Sequence, residues 1–508
     1  MSFRTDSPVP SAQPFRRLLV ANRGEIAIRV IRACRELGIS PIAVHSDADV
    51  DALHVRAADR SECIGPAPAT ESYLSIPSVI EAAQRSGAEA VHPGYGFLSE
   101  NPEFARAVEA AGLVFVGPPA AALEALGNKV AARRTAEEVG VPVAPGATLG
   151  EDDDVAAVER LGFPVMLKAA AGGGGRGMRR VDEAGQLGEA IATARREAQA
   201  AFGNGTIYAE RLISPARHVE VQLLGDRDGN LAVLGERDCS IQRRHQKLVE
   251  ESPSPAVDDA TRAALFESAR RVAVTVDFHN AATVEFLLDA DGHHYFLEMN
   301  TRLQVEHGVT ELVTGLDLVA WQIRVAAGEA LPAQVLNPPR HGHAIEVRLY
   351  AEDPYDGFRP TAGRVGAWRM PEGPGVRVDA GTEADTDLRP EYDPLLAKLM
   401  VHAADRPAAI ARLRRALDET LIGGLQTDAG FLRWLVDEPG FAAGDYDTSL
   451  VTERWGNGPA LTAEEQALVA LTAREARVAG PAARAPQARP EEPASAWGRL
   501  ARREALRR

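Results

Sequence analysis

Between residues 17 and 116, short apolar runs alternate with amphipathic stretches of helical length, and few folds accommodate that order. The spacing predicts strands over 18–21, 41–45, 90–92 and 114–116, separated by helices over 25–37, 77–86 and 102–111. Parallel strands need a crossover connection, which is usually a helix, so the alternation predicts a parallel α/β sheet covered on both faces. The loop after the first strand reads Asn22-Arg23-Gly24-Glu25. That is not the glycine fingerprint of a dinucleotide-binding turn, so the sheet is nucleotide-fold-like without a visible NAD site.

At 508 residues the chain exceeds one hydrophobic core, and about three domains are expected. A net charge of −16 argues against a nucleic-acid-binding face but leaves room for a local basic pocket. Cys34, Cys63 and Cys239 form no Cys-x-x-Cys pair, which excludes a zinc ribbon and points to a reducing compartment. No apolar core of signal-peptide length occurs near the start, and no apolar run is long enough to span a membrane. The cytoplasm is the expected location. Residues 1–14 read as a loose arm, and 451–508 as an extension, partly disordered, with a linker or docking role.

Of the 56 lysines and arginines only four are lysine: Lys129, Lys168, Lys247 and Lys398. Lysine is a compact point charge suited to phosphates and small anions, whereas arginine is a planar fork. Lys168 stands just before the run Gly172-Gly173-Gly174-Gly175-Arg176-Gly177. No Gly-Lys-Ser/Thr follows, so this is no Walker loop. The segment 178–181 reads as a second strand, with a helix starting near Glu183. The whole predicts a hairpin flap whose bare amides close over phosphates, with Lys168 beside them.

In residues 283–300 two strand-like runs flank Asp291-Gly292, a strong two-residue hairpin signal. That turn places Glu285 directly opposite Glu298, with Asn300 on the same face. Like charges so placed repel unless a cation lies between them. Two carboxylates and an amide oxygen are hard ligands suited to Mg²⁺ or Mn²⁺ carrying a nucleotide's phosphates. If the strand continues, Arg302, Gln304 and Glu306 extend that face, which fits an anionic co-substrate with Glu306 as general base.

Taken in order, several motifs resemble the biotin carboxylase subunit or domain of acyl-CoA carboxylases, an ATP-grasp enzyme, over roughly residues 15–450. They are Ala21-Asn22-Arg23-Gly24-Glu25-Ile26-Ala27, the stretch from His92-Pro93-Gly94-Tyr95 to Glu100-Asn101, and the glycine run. Further along come Glu236-Arg237-Asp238-Cys239-Ser240, Gln242-Arg243-Arg244-His245-Gln246-Lys247, and Glu298-Met299-Asn300 through Glu306-His307. The resemblance implies an α/β chain with a Rossmann-like N-terminal domain (15–127), an ATP-grasp lid (128–215) and central domain (216–340), and a biotin carboxylase C-terminal domain (341–450). The implied reaction phosphorylates bicarbonate with ATP and passes CO₂ from carboxyphosphate to biotin on a carrier.

Carried over by motif, Lys129, Lys168, Gly174, Gly175 and His245 contact ATP, as does Gln242. Glu210, Arg211 and Ile213 form the adenine edge, and His218 lies near the ribose. Glu285, Glu298 and Asn300 hold Mg²⁺ or Mn²⁺. Lys247, Arg302, Gln304 and the Val305 amide bind bicarbonate, with Glu306 as base, and Arg348 stabilises the biotin enolate. Gly308 departs from the proline usual there, with a looser following loop expected, and Pro374 from a larger residue near the family's homodimer contact. No methionine neighbours a lysine, so biotin carrier and carboxyltransferase are expected as separate chains. Lys398 reads as structural, with Lys398→Arg expected to be mild. Two other readings share the ATP features: another ATP-grasp ligase, and an inactive ATP-binding scaffold subunit.

Overall fold

The structure, a computed structural model, describes residues 15–127, 129–149, 155–169, 178–203, 205–456 and 458. The glycine run with Gly174 and Gly175, the side chain of Lys129, and residues 1–14 and 459–508 lie outside the described residues.

The amino-terminal alternation folds as the parallel sheet expected. Strands β1 (Arg17–Val20), β2 (Ser40–Ser46), β3 (Arg60–Gly65), β4 (Ala90–His92) and β5 (Val114–Phe115) lie in the order β3-β2-β1-β4-β5. The edge strand β3 was not legible in advance, because its burial alternates weakly and its residues are mostly polar. Two motifs lock the loops at the end of this sheet. The Asn22 side-chain amide donates to the Pro93 and Tyr95 carbonyls, both at 2.8 Å. Gly94 sits at φ +64°, and a Cβ there would meet the Asn22 amide at 2.9 Å, so the loop requires glycine. Asn101 caps the helix Pro102–Ala110, its Oδ1 accepting from the Glu103 and Phe104 amides.

A second, antiparallel sheet has the order β6-β9-β7-β8, formed by Gly146–Leu149 (β6), Val165–Ala169 (β7), Arg179–Val181 (β8) and Ile207–Arg211 (β9). Strands β7 and β8 pair antiparallel from Val165↔Val181, so the hairpin expected to flank the glycine run is present. The helix that follows begins at Leu187, after a 3₁₀ turn over Ala184–Gln186 rather than at Glu183.

The third sheet positions the site. It contains β10 (Ala216–Gly225), β11 (Leu231–Arg243), β12 (Gln246–Ser252), β13 (Asn280–Asp289), β14 (His294–Asn300) and β15 (His343–Tyr350), with two further strands, Val376–Ala380 and Leu395–Ala403. The order is β14-β13-β10-β11-β12-β15, then Leu395–Ala403 and Val376–Ala380. Period two sorts the side chains. Ile345, Val347 and Leu349 of β15 join Leu399 and Val401 in one core with the helices Arg406–Glu419 and Ala429–Asp437. Burying each such side chain is worth about 1.5–3 kcal/mol. Glu346 and Arg348 take the opposite face, where the helix His307–Thr314 lies.

The hairpin register came out as expected by a different route. Asp289 N donates to His293 O at 2.9 Å, so the loop is residues 290–292, one longer than the Asp291-Gly292 turn, with Gly292 at φ +84°. A bulge between Glu285 and Phe286 on this strand pair then restores Glu285↔Glu298 and Thr283↔Asn300. The strand also ends at Asn300, and the next helix begins at His307, so Arg302, Gln304 and Glu306 lie on a connecting segment rather than a continued strand.

Candidate active site

Three carboxylates stand in one row across the sheet. Glu298 opposes Glu285, Glu285 opposes Glu220, and Glu220 opposes Arg237 on the next strand. Glu285 and Glu220 are buried, so their mutual repulsion is not screened by water. The sequence places cations against them instead. Lys247 Nζ donates to Glu220 Oε2 at 2.6 Å, Glu285 Oε1 at 2.9 Å and Glu306 Oε1 at 2.7 Å. Arg237 Nε contacts Glu220 Oε1 at 2.5 Å, and its other nitrogens donate to Gln222, Thr310, Thr283 and Gln304. Burial alone would lower the Lys247 ammonium, but Glu220, Glu285 and Glu306 outweigh it and hold it well above the usual lysine range.

Burial alone would raise Glu285, yet Lys247 and His218 hold it well below the usual carboxylate range. His218 Nε2 lies 2.9 Å from Glu285 Oε2. Asn300 Nδ2 and Gln304 Nε2 donate to Glu285 Oε1 at 2.9 and 2.7 Å. The expected metal ligands Glu285, Glu298 and Asn300 thus lie on adjacent strands, and their oxygens are the hard donors a divalent cation takes. His218, Glu220 and Glu285 also bring ligand atoms within 4.8 Å of one another.

Although the strand ends early, the segment after it returns its polar residues to the same place. Arg302 donates to Glu100 Oε2 at 2.9 Å and to Asn300 Oδ1 at 3.1 Å. Glu306 touches Lys247 through Oε1 and receives Arg348 NH2 on Oε2 at 2.9 Å. Burial would raise Glu306, and Lys247, Arg348 and Arg237 together hold it below the ordinary range. Gln242 pairs with Lys247 across β11 and β12, and His245 lies in the tight turn between them at φ +67°. Lys168 contacts Glu210 at 3.2 Å on neighbouring strands of the second sheet, where Arg211 ends β9 and Ile213 follows it.

Three participants had no role assigned from sequence, Glu220, Arg237 and Glu100, and Lys398 was read only as structural. Their signal was available in part, since His218, Glu220 and Gln222 recur at period two inside the apolar strand β10. Lys398 is fully buried, donates to the Val305 carbonyl at 2.7 Å, and lies 3.4 Å from Glu25 and 3.9 Å from Asp379. That setting removes the ground for expecting Lys398→Arg to be mild. Gly308 lies in the first turn of the helix His307–Thr314, buried, where a Cβ would meet Met400 Sδ at 2.2 Å. Met400 fills the space beside it, so no loosened loop follows the segment.

A glycine-flanked hairpin sheet next to a larger antiparallel sheet, with hard oxygen donors and buried cations on its face, defines an ATP-grasp fold. Three family profiles match in order: biotin carboxylase, N-terminal domain, over residues 14–123; carbamoyl-phosphate synthase L chain, ATP binding domain, over 128–334; and biotin carboxylase C-terminal domain, over 346–453. The chain is 48% identical over 441 residues to the biotin carboxylase of Halalkalibacterium halodurans, covering 86% of this chain and 97% of that one. A solved biotin carboxylase–β,γ-ATP complex from Campylobacter jejuni superposes with a TM-score of 0.84 at 44% identity, covering 87% of this chain and 99% of that one. The biotin carboxylase domain dimer of Hydrogenobacter thermophilus 2-oxoglutarate carboxylase, in complex with MgADP, ADP and bicarbonate, gives 0.85 at 41% identity, covering 89% and 100%. The chain belongs to the biotin carboxylase family.

Proposed function

We propose that this chain carboxylates biotin on a carrier protein, using ATP and bicarbonate, as the first half-reaction of an acyl-CoA carboxylase. The observation that carries the reading is Glu306 held between Lys247 and Arg348, next to the Glu285–Glu298–Asn300 donors. Bicarbonate binds against Lys247, Arg302, Gln304 and the Val305 amide. The β7–β8 hairpin and the glycine run, with Lys168 and Lys129, close over ATP, and Gln242, His245 and His218 line its site with Glu210, Arg211 and Ile213. Mg²⁺ or Mn²⁺ held by Glu285, Glu298 and Asn300 neutralises phosphate charge when bound.

With Lys247 and Arg348 both on its carboxylate, Glu306 is a weak base. An anion arriving at Lys247 and Arg348 competes for those cations and raises Glu306, which makes it a better acceptor for the bicarbonate proton. The freed carbonate oxygen attacks the γ-phosphorus, and ADP leaves. Carboxyphosphate then releases CO₂ and phosphate; the released phosphate takes the N1′ proton of biotin, Arg348 stabilises the resulting enolate oxygen, and N1′ takes the CO₂. A closed lid protects the labile intermediate from water.

The chain is proposed to divide at 15–127, 128–215, 216–340, 341–450 and 451–508, with the third and fourth parts sharing the eight-stranded sheet. Biotin carboxylases work with carrier and carboxyltransferase partners. Here both partners are proposed as separate chains, and the enzyme as a cytoplasmic homodimer. Among the described residues no helix is long and apolar enough to cross a membrane. The test is bicarbonate-dependent ATP cleavage with and without free biotin, in wild type and Glu306→Gln. Stimulation by biotin that Glu306→Gln abolishes supports the reading. Cleavage indifferent to biotin points to another ATP-grasp ligase, and binding without cleavage to a scaffold.

A further inference from the structure

Behind Arg348 lie two carboxyls that no assigned role uses. Glu250 on β12 and Glu346 on β15 are directly opposed in register and fully buried. Among the described residues none of their four oxygens accepts an aligned hydrogen bond, although Arg348 NH2 lies 2.5 Å from Glu250 Oε1. Two ionised carboxylates placed so would repel each other with their buried charge only partly compensated by Arg348 and Lys398, an arrangement that protonation relieves. Lys398, the neighbouring cation, bonds the Val305 carbonyl and is shared among Glu25, Glu346 and Asp379.

The geometry of Arg348 points the same way. Its NH2 lies 2.5 Å from Glu250 Oε1 but out of hydrogen-bonding alignment, and hydrogen-bonds Glu306 Oε2 at 2.9 Å instead. Its Nε is buried with no hydrogen-bond partner. An ionised Glu250 beside a free Nε would be expected to take the guanidinium fork with two parallel bonds. The fork is instead turned to Glu306, with NH1 3.5 Å from the Tyr350 hydroxyl. Burial pushes Glu250 up to about 7, with Arg348 opposing and Glu306 adding to the rise. Burial pushes Glu346 well above the carboxylate range, with Lys398 opposing and Glu250 adding to the rise. The charged and titratable groups facing Glu250 are Lys247 on its own strand, Cys239 on β11, Glu346 and Arg348 on β15, and Glu306. Arg348, Lys247 and Glu306 all belong to the site described above, whereas Glu250 and Glu346 lie behind it.

We propose that Glu250 and Glu346 are a neutral-acid pair that positions Arg348 for the biotin step: the protons they carry leave the guanidinium fork facing Glu306 rather than locked on Glu250, and loss of the Glu250 proton draws the fork away from the pocket. The inference rests on the biotin carboxylase reading of Arg348. Glu250 and Glu346 are positioning residues and transfer no proton to substrate.

The experiment compares wild type with Glu250→Gln and Glu346→Gln, since glutamine mimics a neutral acid. Three quantities are measured from pH 6 to 9: thermal midpoint, bicarbonate-dependent ATP cleavage without biotin, and kcat/KM for free biotin. Both variants are expected to fold with midpoints at or above wild type. In wild type kcat/KM for biotin falls on the alkaline side, and Glu250→Gln moves that limb up by about one pH unit or more. KM for ATP and for bicarbonate changes by less than about twofold, because the metal and bicarbonate groups are untouched. A superimposable biotin profile in Glu250→Gln overturns the inference, and so does a variant that fails to fold, since an ionised Glu250 needed as counterion would have that effect. If wild type shows no biotin stimulation, the functional reading fails with it, while the midpoints still decide whether the pair is neutral.

Discussion

Replacing Lys398 by methionine removes a charge from a site with no water to replace it. The side chain is fully buried, and methionine matches its length, so little cavity opens. Three interactions disappear: the bond to the Val305 carbonyl at 2.7 Å and the contacts to Glu25 at 3.4 Å and Asp379 at 3.9 Å. Asp379 keeps Arg377, whose NH2 lies 2.7 Å away. Among the described residues Glu25 keeps only the Tyr95 hydroxyl, and burial already raises its carboxyl against the pull of Lys398. Breaking such a buried pair costs about 3–5 kcal/mol. In a unit of this size that corresponds to a thermal midpoint lower by roughly 3–5 °C. The Val305 peptide also loses its anchor, so KM for bicarbonate rises while KM for ATP does not. Lys398→Arg crowds the same space and costs about 1–3 kcal/mol by overpacking. Differential scanning calorimetry and bicarbonate titration check both changes. A Lys398→Met protein with the wild-type midpoint and bicarbonate KM would refute the reasoning.

Lys247→Arg lowers bicarbonate-dependent ATP cleavage by about 100-fold, because a planar fork cannot reproduce one nitrogen bonded to three carboxylates; steady-state kinetics at saturating ATP measure it. Glu251, bonded to His343 at 2.6 Å and to Arg406 at 2.7 and 3.0 Å, has its carboxyl lowered to about 2 against the pull of burial. Its folded-state value is depressed, so it contributes about 3 kcal/mol of stability above the unfolded carboxylate range, lost as pH falls toward 2. The stability gap between wild type and Glu251→Gln in urea titrations is therefore full at pH 6 and shrinks below pH 4.5, the ordinary value. Gly308→Pro clashes with Met400 and destabilises by about 1–3 kcal/mol. Adding Met400→Ala recovers part of that loss, a coupling of about 0.5 kcal/mol or more in a double-mutant cycle.

Local periodicity made much of this molecule legible. The amino-terminal strands and helices follow apolar spacing, and the Glu285–Glu298 pairing followed from a turn signal and period two. Even there the two-residue turn was wrong, and a bulge between Glu285 and Phe286 recovered the register. Bulges arise from strand twist and cross-strand packing, which a local pattern does not record. Arg302, Gln304 and Glu306 reach the pocket without a strand, because their partners Glu100, Glu285, Lys247 and Arg348 come from distant segments. Lys398 illustrates what spacing hides. A lysine between Ala397 and Leu399 reads as one polar residue in an apolar strand, and only the fold brings Glu25, Asp379 and the Val305 carbonyl to it.

The central claim is that this pocket phosphorylates bicarbonate. Turnover with ¹⁸O-labelled bicarbonate, ATP and free biotin tests it directly, with the released phosphate analysed by mass spectrometry. If a bicarbonate oxygen attacks the γ-phosphorus, each phosphate carries one ¹⁸O, and Glu306→Gln yields almost none in the same time. Biotin-dependent phosphate release with no label in the phosphate would contradict the account.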